Sequence, residues 1–211
     1  MTLAFAETEP VFDGKYVEEI QVPSPATHLQ PYGMKKHHAT SLHYDLRLGW
    51  NGVLKSWAIP LGPSDRAGER REAIQVEDHR REYLSFEGVI QEGKYGAGTV
   101  MLWDSGMWEP LPECVDVDLS LLRGYLRFIL YGEKLKGAWT LTRRDSRLQN
   151  QQKPIWDLIK EPDPFARNSC AGNIFEEAPN SVSTGRSLEE IRHDWDRPKP
   201  KPKSDATLFD M

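Results

Sequence analysis

His43-Tyr44-Asp45-Leu46-Arg47-Leu48 is the stretch that decides how the rest of this 211-residue chain reads. Successive side chains of a strand point to opposite faces. A period of two therefore puts His43, Asp45 and Arg47 on one face and Tyr44, Leu46 and Leu48 on the other. A face turned to water ordinarily carries Ser, Thr or Lys, not an imidazole, a carboxylate and a guanidinium in file. His37 and His38 lie a few residues upstream. Two imidazoles and a carboxylate suit a divalent transition metal, and the Arg47 fork suits an oxyanion beside it. The plain alternative is an edge strand carrying a solvated ion pair, a common feature of short charged strands.

Downstream, Asn51-Gly52 sits between two alternating runs, a strong hairpin signal. It pairs His43–Trp50 with Val53–Ile59. Further strands are expected over Arg71–Glu77, with Asp78-His79 at its end, then over Phe86–Ile90 and Thr99–Trp103. Ser105-Gly106 reads as a turn into Met107–Glu109. Gly124–Tyr131 and Leu135–Arg143 form a hairpin through Gly132-Glu133, and Ile155–Lys160 is the last strand. Glu92 to Gly98 is glycine-rich but lacks the Gly-Lys-Ser/Thr ending and the following helix of a phosphate loop. A bulged turn or a close backbone approach explains it better. Eight or nine short strands at hairpin spacing predict a mainly β protein, a small closed or nearly closed antiparallel barrel with few short helices.

Upstream, Pro10, Pro23, Pro25 and Pro31 punctuate residues 1–33, which read as an irregular arm delivering Lys35, Lys36, His37 and His38 to the site. A continuous strand would hold His37 and His43 about 20 Å apart at ~3.3 Å per residue. If both bind one metal, Ala39-Thr40-Ser41-Leu42 must bend. His38 reads as a packed or supporting neighbour, and Trp57, Trp103, Trp108 and Trp139 as core aromatics.

Residues 34–162 form the expected barrel domain. Beyond it, 163–211 read as a loop-rich, partly disordered extension with one helix starting at the cap Ser187 and running into Ile191 and Trp195. It ends in the basic tail Pro198 to Lys203. The net charge of −5 makes the whole molecule no electrostatic trap for nucleic acid, so any polyanion needs a local basic patch. Two cysteines without metal-type spacing, no signal peptide and no membrane-length apolar run predict a cytoplasmic protein without a membrane partner.

The runs Lys36-His37-His38-Ala39 and Leu42-His43-Tyr44-Asp45-Leu46-Arg47-Leu48 resemble the 3′-phosphoesterase domain attached to bacterial ATP-dependent DNA ligase D. The resemblance continues through Gly52 to Pro60, Val76-Glu77-Asp78-His79, Tyr83, Phe86 to Ile90, Tyr95 to Thr99, Trp103-Asp104, Trp108-Glu109-Pro110 and Gly132 to Gly137. It covers roughly residues 34–160. No ligase or polymerase sequence follows, so the free-standing form of the module is the expectation.

The resemblance implies a manganese-dependent enzyme that trims the 3′ ends of broken DNA, on a primer-template or nicked duplex. It removes a terminal ribonucleotide to leave a 3′-phosphate and then hydrolyses that phosphate to a hydroxyl. By the same resemblance, His37, His43 and Asp45 are metal ligands, with other divalent transition metals fitting the set too. Arg47 and His79 hold the scissile phosphate, Tyr83 is a further active-site residue and Arg71 coincides with a basic residue of the family. A DNA ligase or end-joining protein is the implied partner. Lys35 stands where the family has Gln, and Leu61 where it has Lys. A non-catalytic DNA-end-binding barrel and a hydrolase of a small phosphoester are the alternatives.

Overall fold

The computed structural model describes residues 29–144, 153–168 and 170–196. Nine strands form one sheet: β1 Gln30–His38, β2 Leu42–Trp50, β3 Val53–Ile59, β4 Arg70–Arg80, β5 Gly88–Ile90, β6 Gly98–Pro110, β7 Tyr125–Gly132, β8 Lys136–Arg143 and β9 Ile155–Lys160. All pairings are antiparallel, in the order β1-β2-β3-β4-β9-β8-β7-β6. β1 pairs with β6 as well as with β2, which closes eight strands into a barrel, while the short β5 adds onto β6. The predicted mainly β, closed antiparallel barrel with few short helices is what forms.

Local chemistry explains the turns. Asn51 (φ +47°) and Gly52 (φ +80°) hold the left-handed pair of a two-residue hairpin, setting Trp50 opposite Val53. β7 and β8 meet through the predicted Gly132-Glu133 turn, pairing Tyr131 with Lys136. The four tryptophans read as core, Trp57, Trp103, Trp108 and Trp139, are buried with Tyr32, Met34, Leu46 and Leu48.

Two strands differ from the sequence reading. The irregular arm ends earlier than expected, because β1 starts at Gln30. Pro31 and Gly33 disguise a strand that is hydrogen-bonded on both sides and so closes the barrel. Nor is there a turn at Ser105-Gly106: β6 runs unbroken for 13 residues. Asp104 is fully buried instead, accepting hydrogen bonds from Tyr32 Oη (3.0 Å) and from the backbone N–H groups of Ser105, Lys134 and Leu135 (2.9 Å each). Gly106 serves a close approach, since a Cβ there would run into Tyr131 and Gly132 backbone. Trp103 is the extra residue where the β1–β6 register shifts, a bulge that re-aims the strand.

The extension does more than the sequence reading granted. The short α2, Ile174–Glu177, and α3, Leu188–Asp196, bring Ile174, Phe175, Leu188 and Ile191 onto the core. Ser187 caps α3 as expected. Its Oγ accepts from Glu190 N (3.1 Å), and the Glu190 carboxylate accepts from Ser187 N (2.8 Å). One helix, α1 Val117–Arg123, has no counterpart in the sequence reading. It is capped by Asp116 and ended by left-handed Gly124. Most of the N-terminal arm and the Pro/Lys tail lie outside the described residues. Among those described, no helix is long and apolar enough to cross a membrane.

Gly98 ties fold to site. Its φ is +140°, and a Cβ would meet the His38 carbonyl oxygen and Ala39 Cα, the backbone of the turn joining β1 to β2. Gly98→Ala is expected to cost about 2–4 kcal/mol, from strain plus clash. Thermal unfolding followed by circular dichroism should show a melting temperature lower by roughly 5–15 °C. An unchanged melting temperature would mean that this turn tolerates displacement.

Candidate metal and phosphate site

The bend required between His37 and His43 exists. β1 and β2 form a hairpin through Ala39–Ser41, and the register sets His37 opposite His43, Lys35 opposite Asp45 and Gly33 opposite Arg47. Alternation then puts all six on one face, while Tyr32, Met34, Tyr44, Leu46 and Leu48 enter the core. The imidazole centroids are 4.7 Å apart. His37 Nδ1 lies 3.6 Å and His43 Nε2 3.8 Å from Asp45 Oδ2. One ligand atom from each of the three falls within 4.8 Å of the others, forming the candidate metal site.

Two observations fit an ion there. His37 Nε2 is buried without a hydrogen-bond partner. His43 Nδ1 lies 3.1 Å from the Ser41 carbonyl oxygen, so a proton on Nδ1 leaves the Nε2 lone pair free to coordinate. Holding one ring nitrogen on a backbone carbonyl is how a ligating histidine is usually oriented. Burial pushes the Asp45 carboxyl up, but the His37 hydrogen bond and the charge of Arg47 outweigh it and hold it below the usual range. A carboxylate kept ionised while buried is ready for a cation.

Arg47 adjoins this set, with Nη2 3.4 Å from Asp45 Oδ1. It is 3% exposed, yet its Nε and Nη1 have no hydrogen-bond partner. Leaving two guanidinium donors buried and unpaired is costly unless a ligand answers them. Tyr83 lies on the 3-10 turn Arg81–Ser85, with the Arg47 guanidinium 6.0 Å from its ring centroid and Phe86 stacked behind it. His79, at the end of β4, lies 5.4 Å ring to ring from Tyr83. Its Nδ1 lies 2.8 Å from the Glu77 carbonyl oxygen, so a proton held there leaves Nε2 free. Burial, then the Arg47 charge, holds the His79 pKa below its ordinary value.

His37, His43, Asp45, Arg47, His79 and Tyr83 thus line one cleft of about 420 Å³. Arg71 does not join them. Its guanidinium pairs with Glu69 at 2.7 Å and borders a separate cavity with Leu61, Ser64 and Asp65. His38 is exposed rather than packed: it shares the core-side face of β1 with Tyr32 and Met34, but it is the last residue of the strand, past the part of that face that is covered.

Sequence reasoning missed the role of Lys35. The side chain is fully buried beneath the site, and Nζ donates to the Leu84 and Phe86 carbonyl oxygens at 2.5 Å each. It thereby pins the turn that carries Tyr83. Its only sequence signal was a Lys adjoining a site on a strand, which reads as exposed.

The fold and the site define a small β-barrel with a candidate metal centre beside a buried arginine. The profile of the DNA Ligase D 3′-phosphoesterase domain matches residues 35–143, and the chain belongs to that family. It is 45% identical over 163 residues to the multifunctional non-homologous end joining protein LigD of Pseudomonas aeruginosa, covering 77% of this chain and 19% of that protein. LigD of Mycolicibacterium smegmatis is 43% identical over 112 residues, 51% of this chain and 15% of that protein. LigD of Mycobacterium tuberculosis strain H37Rv is 38% identical over 125 residues, 56% and 16% respectively. The chain therefore spans less than a fifth of the length of these relatives.

Burial and the Arg47 charge lower the Lys35 pKa from 10.5 to about 7. A neutral amine still has the two N–H groups that the two carbonyls require. Between about pH 7 and 10.5 the unfolded chain binds more protons at this position than the folded one, so stability rises with pH across that window. Urea unfolding of the metal-free protein at several pH values should show this rise in wild type and a flatter profile in Lys35→Gln. Parallel profiles would remove Lys35 from the balance.

Proposed function

We propose that this chain is a metal-dependent DNA 3′-end-healing phosphoesterase that removes 3′-phosphate to leave a 3′-hydroxyl during break repair. The observation that carries the reading is the buried Arg47 guanidinium, with Nε and Nη1 unpaired, beside the convergent His37, His43 and Asp45. A cation site and an oxyanion clamp side by side suit a phosphoester. The family's description and the end-joining names of the relatives support DNA ends, on a primer-template or nicked duplex, as the substrate. The same names make a DNA ligase or end-joining protein the natural partner, working in the cytoplasm.

His37, His43 and Asp45 would hold the metal, Mn²⁺ being the ion the family resemblance implies and other divalent transition metals being acceptable to the donor set. When bound, the metal supplies Lewis acidity and a water of lowered pKa. Arg47 contributes two parallel N–H donors to the phosphoryl oxygens, a bidentate grip. Burial and the Arg47 charge hold the His79 pKa down in the free protein, and the negative charge of an arriving phosphate opposes that shift. Once protonated it donates from Nε2 to a phosphoryl oxygen or to the leaving alkoxide. Tyr83 packs against both and fixes their spacing. Arg71, paired with Glu69, is left out of the clamp.

The deciding experiment incubates a labelled duplex carrying a 3′-phosphate with and without Mn²⁺ and reads the product end. Metal-dependent conversion to a 3′-hydroxyl is the expected result. Binding without conversion would favour an end-binding barrel.

His43→Ala and Asp45→Ala are each expected to abolish phosphate release together with bound metal. Arg47→Ala and His79→Ala should keep the metal, measured by elemental analysis, yet lose about 10²–10³ in rate, since only charge-stabilising contacts are removed. Metal loss in the second pair as severe as in the first would refute this division of labour.

A second expectation concerns ribonucleotide removal. Placing a 2′-hydroxyl and an internal phosphodiester requires more contacts than gripping a terminal phosphate. Neither position where this chain departs from the family helps: Lys35 is committed to two carbonyls, and Leu61 is 75% exposed outside the cleft. Each missing polar contact is worth roughly 1–3 kcal/mol, about tenfold to a hundredfold in rate. On matched duplexes with Mn²⁺, phosphate removal should therefore outpace ribonucleotide removal by at least that factor. Equal rates would show that the two departures cost nothing.

A further inference from the structure

Part of the cleft is left unused by the phosphate chemistry. Besides the ionic set it is lined by Ala58, Val76, Ile90, Tyr95 and Gly96. Tyr95 is 78% exposed, the highest value among the large hydrophobic side chains of the described residues. It takes no part in the core, so folding does not require it there.

The chain nonetheless builds a support for this ring. Two successive turns carry the loop, with Lys94 N donating to the Gln91 carbonyl (3.2 Å) and Ala97 N to the Lys94 carbonyl (3.1 Å). Gly93 (φ +82°) and Gly96 (φ +75°) take left-handed conformations on either side of Tyr95. The Tyr95 hydroxyl donates to Glu77 Oε2 on β4 (3.3 Å), which ties the far edge of the ring to the barrel. An aromatic face held at an open apolar wall, in the same cleft as an arginine clamp, suits a ligand that is anionic at one end and flat at the other. A nucleotide has that form, and base–aromatic stacking tolerates any base because each has a π-face.

We propose that Tyr95 is the stacking platform for the terminal nucleobase of the 3′ end, so that the cleft recognises a base-bearing nucleotide and not the phosphate alone. The proposal rests on the phosphoesterase reading above and gives that site its substrate preference. Tyr95 is thus a positioning and specificity residue that takes no part in the bond-breaking step.

The test pairs two duplexes that differ only at the 3′-terminal residue: a normal nucleotide 3′-phosphate and a base-less tetrahydrofuran 3′-phosphate. Wild type should prefer the base-bearing end by about tenfold to a hundredfold in kcat/KM, chiefly through KM. Tyr95→Ala should lose that preference by slowing on the base-bearing end alone. Tyr95→Phe, which keeps the ring and drops the tether, should retain it to within a fewfold. Equal treatment of the two ends by wild type, or an equal loss on both ends in Tyr95→Ala, would overturn the proposal. Equilibrium binding of the same duplexes, read by fluorescence anisotropy without added metal, separates this failure from that of the parent reading. If no phosphate is released from either duplex, the phosphoesterase reading fails, while base-dependent affinity that vanishes in Tyr95→Ala still supports the platform and its absence still overturns it.

Discussion

The register in which β1 meets β2 is the constraint on which the rest of this molecule depends. Side chains alternate across a strand, so a slip of one residue would send His37 and Lys35 to the core side and Tyr32 and Met34 to the cleft. The observed register puts His37 against His43 and Lys35 against Asp45. It is enforced from both sides, because β1 is also bonded to β6, and the bulge at Trp103 lets the longer strand follow it. Barrel closure and site assembly are one event here, performed by one strand.

Charged groups on the cleft side of that strand pair are buried at a cost, and the cost is met in different ways. Lys35 gives its N–H groups to two carbonyls of the turn above it, which settles both ends of the interaction. Asp104, elsewhere in the barrel, collects four donors and knits β1, β6 and the β7–β8 turn together. Arg47 is different, since two of its donors remain unanswered. Native proteins leave few buried polar atoms unpaired, and an exception lying beside a carboxylate and two histidines reads as a place kept for a ligand.

Net charge of −5 argues against broad electrostatic capture of DNA. The cleft offers short-range contacts instead, with a guanidinium, imidazoles, aromatic rings and aliphatic side chains in one lining. Such contacts suit the strand-end chemistry proposed for this cleft.

By itself the sequence determined most of the strands, the hairpin at Asn51-Gly52, the tryptophan core and the alternation of β2 that separates Asp45 and Arg47 from Leu46 and Leu48. These are local matters of period and turn chemistry, carried within a few residues of one another. The capping box at Ser187 was legible for the same reason. The tertiary structure alone decided that Gln30–His38 is the closing strand, since Pro31 and Gly33 read locally as breaks and only two flanking partners make a strand of them. It also decided that Lys35 is buried and bonded to Leu84 and Phe86, that Arg71 turns to Glu69 and that His38 faces solvent. The Lys35 contacts lie 49 and 51 residues away, and the closing strand and the exposure of His38 depend on what covers each face of β1, so no local pattern carries that information.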